Sequence, residues 1–505
     1  MKRGILLVRA DATVTSGTGH VMRCLALAQA WQHAGGDVIL AMAEATAAIR
    51  ERLRSEQIRI VDLEADSGSS EDVRDTIAAV LRHNAEWLVV DGYHFHAHYV
   101  SELQNVRPLL VIDDNGELES YSADLILNQN MHARAEMYAK RAPRTRLLLG
   151  PRYALLRSEF TNYRNWTRKV PERGKRVLLT MGGSDPQNLT PRILSVLAEL
   201  SIDDLRIRVV VGGSAENGDG VAEEAEKFSD RVEVMSNVAN MADLMAWADL
   251  AIAGAGTTCW EMCLLGVPAV LVVAAENQRF IAEHLAGIGA AVNAGSAQLL
   301  NCSSLALITA QLLENGDRRF KMSEAGRQLV DGLGSERVRA ALLGRELNLR
   351  MAGENDSRLL FKWADDPVAR AASFHSAAIS WDDHVRWFAE RLQDTQSVIY
   401  IGENAAGEPV GVVRFQIKDE NAVLSINVAP EFRGQGWGRD LIAFSTGSVV
   451  RTHAIRRIQA FVRPDNRASV RLFEAIGFRP AGRERVAGQD ALLFTWEGGA
   501  PAHAE

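Results

Sequence analysis

Short apolar runs separated by amphipathic stretches fill the first part of this chain. The run Ile5–Val8 predicts a buried strand, and the apolar period of His20–Ala34 predicts the helix that follows it. Similar runs predict further strands at Val38–Met42, Ile58–Leu63, Trp87–Asp91, Leu109–Asp113, Leu125–Asn128 and Leu147–Leu149. Nearly continuous Val, Leu and Ile strands that alternate with helices, such as Glu71–Arg82, are typical of a doubly wound parallel sheet.

A second series of alternating strands and helices begins after Pro171–Lys175. Its strands are predicted at Val177–Met181, Ile207–Val211, Val232–Met235, Leu250–Ala253 and Ala269–Val273. The sequence therefore predicts an α/β protein with two Rossmann-like halves, residues 1–170 and 171–350. Ligands of such sheets bind outside the carboxyl ends of the strands, so we expect the site in the cleft between the halves.

The pattern changes after Met351–Asp356. Helices around Ser357–Ala364 and Trp381–Leu392 precede a set of strands, a glycine-rich loop and further helices. These later elements are predicted at Val398–Ile401, Glu408–Gln416, Ala422–Val428, Arg457–Val462 and Ala468–Ile476. The pattern indicates a separate α+β domain, residues 356–498, and Gly498–Glu505 is predicted to be a frayed tail.

The composition excludes several classes of protein. A chain of 505 residues allows about three domains of roughly 150 residues each. The net charge of −8 argues against a nucleic-acid-binding surface, and no apolar run reaches the ~18 residues that span a membrane. The amino terminus shows no signal-peptide cleavage site, and the 4 cysteines lack the Cys-x-x-Cys spacing of a zinc site. We expect a cytoplasmic protein without nucleic-acid or membrane partners, and its oligomeric state stays open.

The segment Ser16–Arg23 lies between the first predicted strand and the first predicted helix. Gly17 and Gly19 let the backbone approach a ligand closely, and a helix start offers N–H groups to an anion. His20 places a titratable imidazole over the same crevice. On this loop alone, His20 is either a catalytic group or only a polar residue near a helix start.

A strand of the second half ends in Gly254-Ala255-Gly256, and a helix begins at Thr257-Thr258. Backbone N–H groups and the helix dipole at such a turn suit a diphosphate. One turn further, Glu261 can accept two hydrogen bonds from a ribose diol. The amides Asn277 and Gln278 both donate and accept hydrogen bonds, which suits sugar hydroxyls and N-acetyl groups.

These motifs resemble the nucleotide-binding half of the peptidoglycan N-acetylglucosaminyltransferase and its relatives with the GT-B fold. The resemblance implies that Glu261 holds the ribose of a UDP-sugar and that Gln278 contacts the sugar. The loop Gly182–Asp185 also resembles the interdomain loop of that family.

Motifs of the first half restrict the resemblance to one group of enzymes with this fold. These motifs are Arg9-Ala10-Asp11, Gly17–Leu25, Asp91-Gly92-Tyr93, Ile112–Asp114 and Leu127–Asn130. Over about residues 3–345 the chain resembles the UDP-sugar hydrolases of pseudaminic acid biosynthesis. This resemblance implies hydrolysis of UDP-2,4-diacetamido-2,4,6-trideoxy-β-L-altropyranose at its anomeric carbon, with water as the acceptor.

Cleavage of a glycosyl–diphosphate bond needs an activated nucleophile and a stabilised leaving group. We expect His20 to act as general base on water, and the helix start at Thr257 to stabilise the departing UDP. Asp11 either orients the imidazole or binds sugar hydroxyls, and both interpretations stay open. Tyr93 and Asn277 are expected sugar contacts. No metal is expected, because the arrangement does not require one and no Asp-x-Asp pair is placed to chelate a diphosphate.

The C-terminal domain carries a second set of motifs. Arg433, Gly436 and Gly438 fit the Arg/Gln-x-x-Gly-x-Gly/Ala pattern of GNAT acetyltransferases, and Asn466 belongs to that family's second signature. Successive N–H groups in such a turn form a nest for the pyrophosphate of coenzyme A. The resemblance implies acetyl-CoA as co-substrate, with contacts at Val428, Arg433, Gly434, Gln435, Gly436, Gly438 and Asn466.

The segment around Trp381, His384 and Trp387-Phe388 resembles the acetyltransferase of the same pathway, which acts on the 4-amino group of a UDP-sugar. Two departures put the acceptor and the rate in question. Phe473 stands where many GNAT enzymes have a tyrosine that can protonate the leaving thiolate. Ala364-Asp365 stands where related sequences often carry Arg-Asn.

The leading interpretation is a bifunctional enzyme that N-acetylates a UDP-4-amino-4,6-dideoxy sugar and hydrolyses the product. The alternative is a GT-B glycosyltransferase with a GNAT appendage, which would transfer a sugar to an acceptor. A degenerate sugar-nucleotide-binding or scaffold protein is a third interpretation, which the intact set of His20, Glu261 and Arg433 disfavours.

Overall fold

The computed structural model describes residues 4–12, 17–164, 166–183, 185, 187–212, 218–236, 238–375 and 377–497. The chain forms two compact units, Met1–Leu342 and Leu343–Ala500. Ser16 of the first loop, Ser184 of the loop Gly182–Asp185 and the tail from Gly498 lie outside the described residues.

The first unit begins with a seven-stranded parallel sheet. Its strands are β1 (Ile5–Ala10), β2 (Asp37–Met42), β3 (Arg59–Asp62), β4 (Ala85–Asp91), β5 (Leu109–Ile112), β6 (Leu125–Asn128) and β7 (Arg146–Leu149). The helices of this half are α1 (Gly19–His33), α2 (Ala47–Ser55), α3 (Ser70–Arg82), α4 (Ala97–Gln104) and α5 (Ser158–Thr161). The strand order is β3-β2-β1-β4-β5-β6-β7, so β1 and β4 are neighbours in the middle of the sheet.

A six-stranded parallel sheet forms the second half of this unit. Its strands are β8 (Arg176–Thr180), β9 (Arg206–Val211), β10 (Val232–Ser236), β11 (Leu250–Gly254), β12 (Ala269–Val273) and β13 (Ala291–Ser296). Its helices are α6 (Leu189–Ala198), α7 (Gly218–Glu226), α8 (Met241–Trp247), α9 (Thr258–Leu265), α10 (Arg279–Gly287), α11 (Cys302–Glu314), α12 (Gly316–Leu329) and α13 (Gly334–Leu342). The order β10-β9-β8-β11-β12-β13 repeats that of the first sheet, which confirms the predicted pair of Rossmann-like halves.

The second unit is built on a mixed sheet. Its strands are β14 (Asn348–Met351), β15 (Ser397–Glu403), β16 (Pro409–Lys418), β17 (Asn421–Val428), β18 (Arg457–Val462), β19 (Arg479–Val486) and β20 (Gln489–Glu497). Its helices are α14 (Ser357–Ala364), α15 (Pro367–Ala372), α16 (Trp381–Gln393), α17 (Trp437–His453) and α18 (Arg467–Ala475). The predicted α+β GNAT fold is confirmed.

Polar residues fix where several helices begin. The Ser69 side chain accepts a hydrogen bond from the Asp72 backbone at the start of α3, and Ser380 does the same for Asp383 at α16. Each bond satisfies an N–H group that the first turn of a helix leaves without an intrahelical partner. The apolar faces behind these caps then pack on the sheets.

The structure places two boundaries differently from the sequence prediction. Strand β14 pairs with β15, so the second unit includes residues before 356. Helix α13 follows the second sheet in the chain but packs against α1 of the first half. The backbone of Gly334 approaches that of Ala154 so closely that any side chain at Gly334 would overlap it. The sequence did not predict that α13 packs on α1, because apolar periodicity shows that a helix is buried but not which sheet or helix it packs against.

A buried arginine ties the segment between the halves to the second half. Arg168 donates to the carbonyl oxygens of Leu265 at 3.0 Å and Met245 at 2.6 Å, and also to that of Ala248. These carbonyls lie at the ends of α8 and α9, where the helix leaves them without intrahelical partners. Burial lowers the pKa of Arg168 to about 9, so the group is still a cation at neutral pH.

Substituting Arg168→Met should destabilise the first unit, because three buried carbonyl oxygens lose a charged donor. We expect a loss of at least about 2 kcal/mol and a lower Tm of the first unit by calorimetry. The exposed Arg173 of the same segment is the matched control, and Arg173→Met should leave Tm unchanged. An unchanged Tm in Arg168→Met would contradict this role.

Candidate functional site

His20 lies in the first turn of α1 and is buried at the carboxyl edge of the first sheet. Its Nδ1 atom lies 2.6 Å from Oδ1 of Asp91, the last residue of β4. Burial alone would raise the pKa of Asp91, but the charges and hydrogen bonds of Arg23 and His20 outweigh burial and hold that pKa well below its usual value. Asp91 is therefore a carboxylate that can only accept, so the proton sits on Nδ1 and Nε2 is left as the acceptor.

Arg23 joins Asp91 to a second, partly buried carboxylate, Asp114. Its Nε and one terminal nitrogen each lie 2.7 Å from an oxygen of Asp91. The other terminal nitrogen lies 2.8 Å from Oδ1 of Asp114. Burial opposes ionisation of Asp114, but Arg23 outweighs it and lowers the pKa of that carboxyl. One guanidinium thus fixes the carboxylate that orients His20 and a second carboxylate one strand away.

Tyr93 connects this cluster to the second half. Its hydroxyl donates to Asp114 at 2.9 Å and accepts from the Asn277 side-chain amide at 3.1 Å. Partial burial and the charge of Asp114 raise the pKa of Tyr93, so its hydroxyl stays protonated at neutral pH. The ring packs edge-to-face on His20 with centroids 4.6 Å apart. The structure therefore brings together His20, Tyr93 and Asn277, three residues that the sequence singled out separately.

Asp11 does not orient His20, so that interpretation was wrong. Its Oδ1 accepts from the backbone N–H groups of Ala43 and Glu44, and its Oδ2 accepts from Ser67 and pairs with Arg9 at 2.7 Å. These contacts leave the carboxylate little capacity for sugar hydroxyls. Asp11 anchors the ends of neighbouring strands, and the imidazole partner is Asp91 because β4, not the loop after β1, ends beneath it.

The glycine loop of the first half lies against the helix start of the second. A Cβ on Gly19 would lie 3.6 Å from the Thr257 hydroxyl, and one on Gly183 would overlap the Thr18 side chain. Gly17 adopts a φ of 72°, a left-handed conformation that favours glycine. Predicted residues from both halves therefore line one cleft, and Thr258 begins α9 directly beside it.

The turn that follows β12 places a side-chain amide beside the same helix start. The Gln278 Oε1 atom accepts from the Ala274 backbone at 2.9 Å. A Cβ on Gly256 would lie 3.9 Å from the Gln278 Nε2 atom. The oxygen of this amide is therefore committed to the protein, and its amino group lies beside the predicted diphosphate turn.

Glu261 is held by a residue that the sequence did not single out. Its Oε1 atom accepts from Arg157 at 2.9 Å, and Arg157 also lies 3.2 Å from Glu159. Burial, reinforced by the charge of Glu159, raises the pKa of Glu261 to about 7, although Arg157 opposes the rise. The predicted ribose ligand is therefore a carboxyl that titrates near neutral pH. Arg157 lies in the segment between the halves, whose role no motif revealed.

In the second unit, the predicted coenzyme A turn is shaped by contacts within the protein. Gly434 and Gly436 adopt φ values of 73° and 93°, and Gly436 precedes α17. Arg433 donates to the Val428 carbonyl at 3.0 Å and pairs with Asp366 at 2.7 Å. The Arg433 side chain therefore holds the turn at the end of β17, which leaves the backbone N–H groups of the turn as the predicted anion-binding element.

The other side chains predicted to contact coenzyme A also make contacts within the protein. Gln435 donates to the Glu431 carbonyl at 2.9 Å, and its own carbonyl accepts from Arg345. Asn466 caps α18 by accepting from the Ser469 backbone at 3.1 Å. A Cβ on Gly438 would lie 3.2 Å from Leu472, so α17 and α18 approach closely there. Cofactor contacts at these positions stay predictions.

Two parallel strands separate beside this turn. Strand β17 pairs with β18 only from Asn421 to Val423, opposite Arg457 to Gln459. Both strands continue beyond that point, β17 to Val428 and β18 to Val462. Backbone groups that face an open fork of this kind can hydrogen-bond an extended ligand as an added strand would.

Among the described residues, no cluster of three or more His, Cys, Asp or Glu side chains is arranged to bind a metal ion. Within the same part of the chain, no helix combines the length and the apolar character needed to cross a membrane.

Comparisons with known proteins agree with both folds. Residues 177–333 match the glycosyltransferase family 28 C-terminal domain, and residues 362–478 match the acetyltransferase (GNAT) family. An uncharacterised protein of Methanocaldococcus jannaschii is 24% identical over 94% of this chain and 96% of its own length. A spore coat polysaccharide biosynthesis protein of Bacillus subtilis is 29% identical over 47% of this chain and 69% of its own.

Several relatives are named for the reactions that they catalyse. The UDP-2,4-diacetamido-2,4,6-trideoxy-β-L-altropyranose hydrolase of Campylobacter jejuni is 26% identical over 56% of this chain and 97% of its own length. The chain is therefore an enzyme with a GT-B-like hydrolase or transferase unit and a GNAT acetyltransferase unit.

The pKa of Glu261 gives the predicted ribose site a pH dependence. In the predicted ribose site, ionised Glu261 would accept two hydrogen bonds from the diol, so affinity should rise about tenfold from pH 6 to pH 8 as the carboxyl ionises. The measurement is calorimetric titration with UDP-N-acetylglucosamine, whose esterified diphosphate does not titrate in this range. Glu261→Gln should bind weakly at every pH, and a pH slope that survives this substitution would assign the effect to another group.

Proposed function

We propose that this chain is a bifunctional nucleotide-sugar enzyme. The first unit hydrolyses UDP-2,4-diacetamido-2,4,6-trideoxy-β-L-altropyranose, and the second N-acetylates a UDP-4-amino-4,6-dideoxy sugar with acetyl-CoA. The observation that carries the hydrolase assignment is the pairing of His20 with Asp91, within a network that reaches Asn277 across the cleft. The similarity to the Campylobacter jejuni hydrolase over 97% of that protein supports it.

The proposed hydrolysis uses His20 as general base. Nε2 takes a proton from water while the water oxygen bonds to the anomeric carbon. The bond from that carbon to the diphosphate oxygen breaks, and its electron pair leaves with UDP. Asp91 holds the imidazole in the required tautomer and balances the charge of the imidazolium. The products are the free diacetamido sugar and UDP, and His20 returns its proton to solvent.

The second half would stabilise the leaving group. The N–H groups at the start of α9 face the developing negative charge of UDP, and Glu261 takes the ribose. The amino group of Gln278 and the amide of Asn277 would bind the sugar. UDP departs without a metal in this proposal because the helix start supplies the positive potential.

A sugar transfer is the second candidate, favoured by the match to the glycosyltransferase family 28 C-terminal domain. Both reactions cleave the same bond, and they differ in the acceptor. The hydrogen bond from Asn277 to Tyr93 closes the cleft beside His20, which favours water over a bulkier acceptor. A glycosyltransferase would release little free sugar in the absence of its acceptor.

The acetyl transfer would take place at the fork between β17 and β18. The extended arm of acetyl-CoA hydrogen-bonds the open edge of β17, and its pyrophosphate sits on the N–H groups of the turn before α17. The neutral sugar amine attacks the thioester carbonyl, the carbon–sulfur bond breaks, and coenzyme A leaves as the thiolate, while the nitrogen gives up one proton to water. Phe473 is buried against Phe478 and Phe494, so this position supplies no proton to the thiolate, which takes its proton from water.

Replacing His20 should stop hydrolysis without stopping binding. We expect His20→Ala to slow UDP release by about 10²- to 10⁴-fold, since a positioned general base contributes that much. Asp91→Asn should also slow it, because an amide can hydrogen-bond the wrong tautomer. UDP release is measured by a coupled assay on the diacetamido substrate.

His96→Ala is the matched control, since this exposed histidine precedes α4 and lies outside the network. Wild-type UDP release in His20→Ala, with retained UDP-sugar binding, would contradict the proposed mechanism.

Mass spectrometry of the UDP-4-amino sugar incubated with acetyl-CoA and the full chain should show the gain of one acetyl group, followed by loss of UDP. Gly436→Val should abolish the first step, because a β-branched residue cannot readily adopt the φ of 93° before α17. It should leave hydrolysis of the diacetamido substrate intact. Acetylation without UDP loss would contradict the hydrolase assignment, and UDP loss without acetylation would contradict the transferase assignment.

A further inference from the structure

Arg414 lies on the face of the third sheet that α14 and α16 cover only in part. It belongs to β16, on the same face as Val412, which packs in the core under these helices. In the antiparallel register it stands opposite Ser425 of β17. On this same face the neighbouring strand β17 is open beside Arg414, since Ser425 is exposed and Val423 is 38% exposed.

Arg414 is a partly buried cation without a carboxylate partner among the described residues. Its Nε donates to the Ser425 hydroxyl at 3.1 Å, and its guanidinium carbon lies 5.3 Å above the ring of Trp387. Burial and the neighbouring charge of Arg391 both lower the pKa of Arg414, but a guanidinium remains charged at neutral pH. Taking such a charge out of water without a counter-ion costs stability.

Other arginines beside this sheet have carboxylate partners. Arg350 pairs with Asp356 at 2.7 Å and with Glu403 at 2.6 Å. Arg391 pairs with Asp394 at 3.2 Å. Arg414 instead has a hydroxyl on one side and an aromatic face below, an arrangement that keeps its remaining N–H groups for a bound anion.

The position of Arg414 relates this anion to acetyl transfer. Pairing between β17 and β18 ends at Val423, and Ser425 comes two residues later on the open edge of the fork. An anion bound by Arg414 and Ser425 therefore lies beside the fork, on the sheet face that α16 borders. A molecule held there by its phosphates can direct its far end into the fork.

We propose that Arg414, with Ser425 and the Trp387 ring that orients it, binds the diphosphate of the acetyl acceptor. The proposed UDP-sugar acceptor is then recognised through its diphosphate, in addition to its amino sugar. This inference rests on the proposed acetyl transfer and adds the group by which the acceptor is recognised. The chain would thus bind UDP at two separate places, one in each unit.

The kinetic test compares two acceptors, the UDP-4-amino sugar and the same amino sugar without UDP. Arg414→Gln should raise KM at least about tenfold for the UDP-sugar, the effect of losing one charge-assisted contact, with KM for acetyl-CoA unchanged. For the free sugar, Arg414→Gln and the wild type should have the same KM. Arg414→Lys keeps the charge without the planar fork and should recover part of the loss.

The matched control is Arg386→Gln, an exposed arginine of α16 that pairs with Asp383 and should leave every parameter unchanged. An unchanged KM for the UDP-sugar in Arg414→Gln, or an equal loss for both acceptors, would overturn the inference. Either result would leave the proposed acetyl transfer standing.

A binding measurement separates this inference from the proposed reactions. Calorimetric titration of UDP into the full chain should give two sites in the wild type and one in Arg414→Gln. A single wild-type site that persists in Arg414→Gln would overturn the inference. A single wild-type site that Arg414→Gln removes would support it and contradict the nucleotide site of the first unit.

Discussion

One buried guanidinium holds the cleft of the first unit together. Arg23 binds Asp91 and Asp114, two carboxylates at the ends of adjacent strands that would otherwise repel each other in a region closed to water. With His20 neutral, these groups carry one more negative than positive charge. A proton taken up by His20 would bring the cluster to neutrality, which suits the proposed general-base step. Arg23 thereby fixes the carboxylates that accept from His20 and from Tyr93.

Local pattern was enough to predict the two parallel sheets and the glycine turns, because apolar runs and turn residues are local properties. The local pattern did not identify the partner of His20, because Asp11 and Asp91 both lie at the ends of buried strands. Only the order of strands in the sheet decides between them, and β4 enters beside β1 after two other strands have been placed. Strand order would have identified Asp91 as the partner of His20, since Asp91 and Asp114 both lie at the carboxyl ends of neighbouring strands.

Several arginine side chains of this protein make long-range contacts that no sequence motif reveals. Arg157 and Arg168 come from the segment between the halves and act on the second half, one on a site carboxylate and one on helix ends. Arg52 of α2 joins the contacts of Arg157, since it lies 3.3 Å from Glu159, which also pairs with Arg157. Such contacts join residues far apart in sequence, so no short pattern contains them.

The return of α13 to the first half has a mechanical consequence. The polypeptide crosses between the halves twice, once through the segment that carries Arg157 and once into α13. A body attached at two points keeps one easy rotation, about the line that joins them, and resists twisting about any other axis. A rotation of one half against the other is therefore easiest about that line. The hydrogen bond between Tyr93 and Asn277 lies across the cleft, so a rotation that widened the cleft would break it.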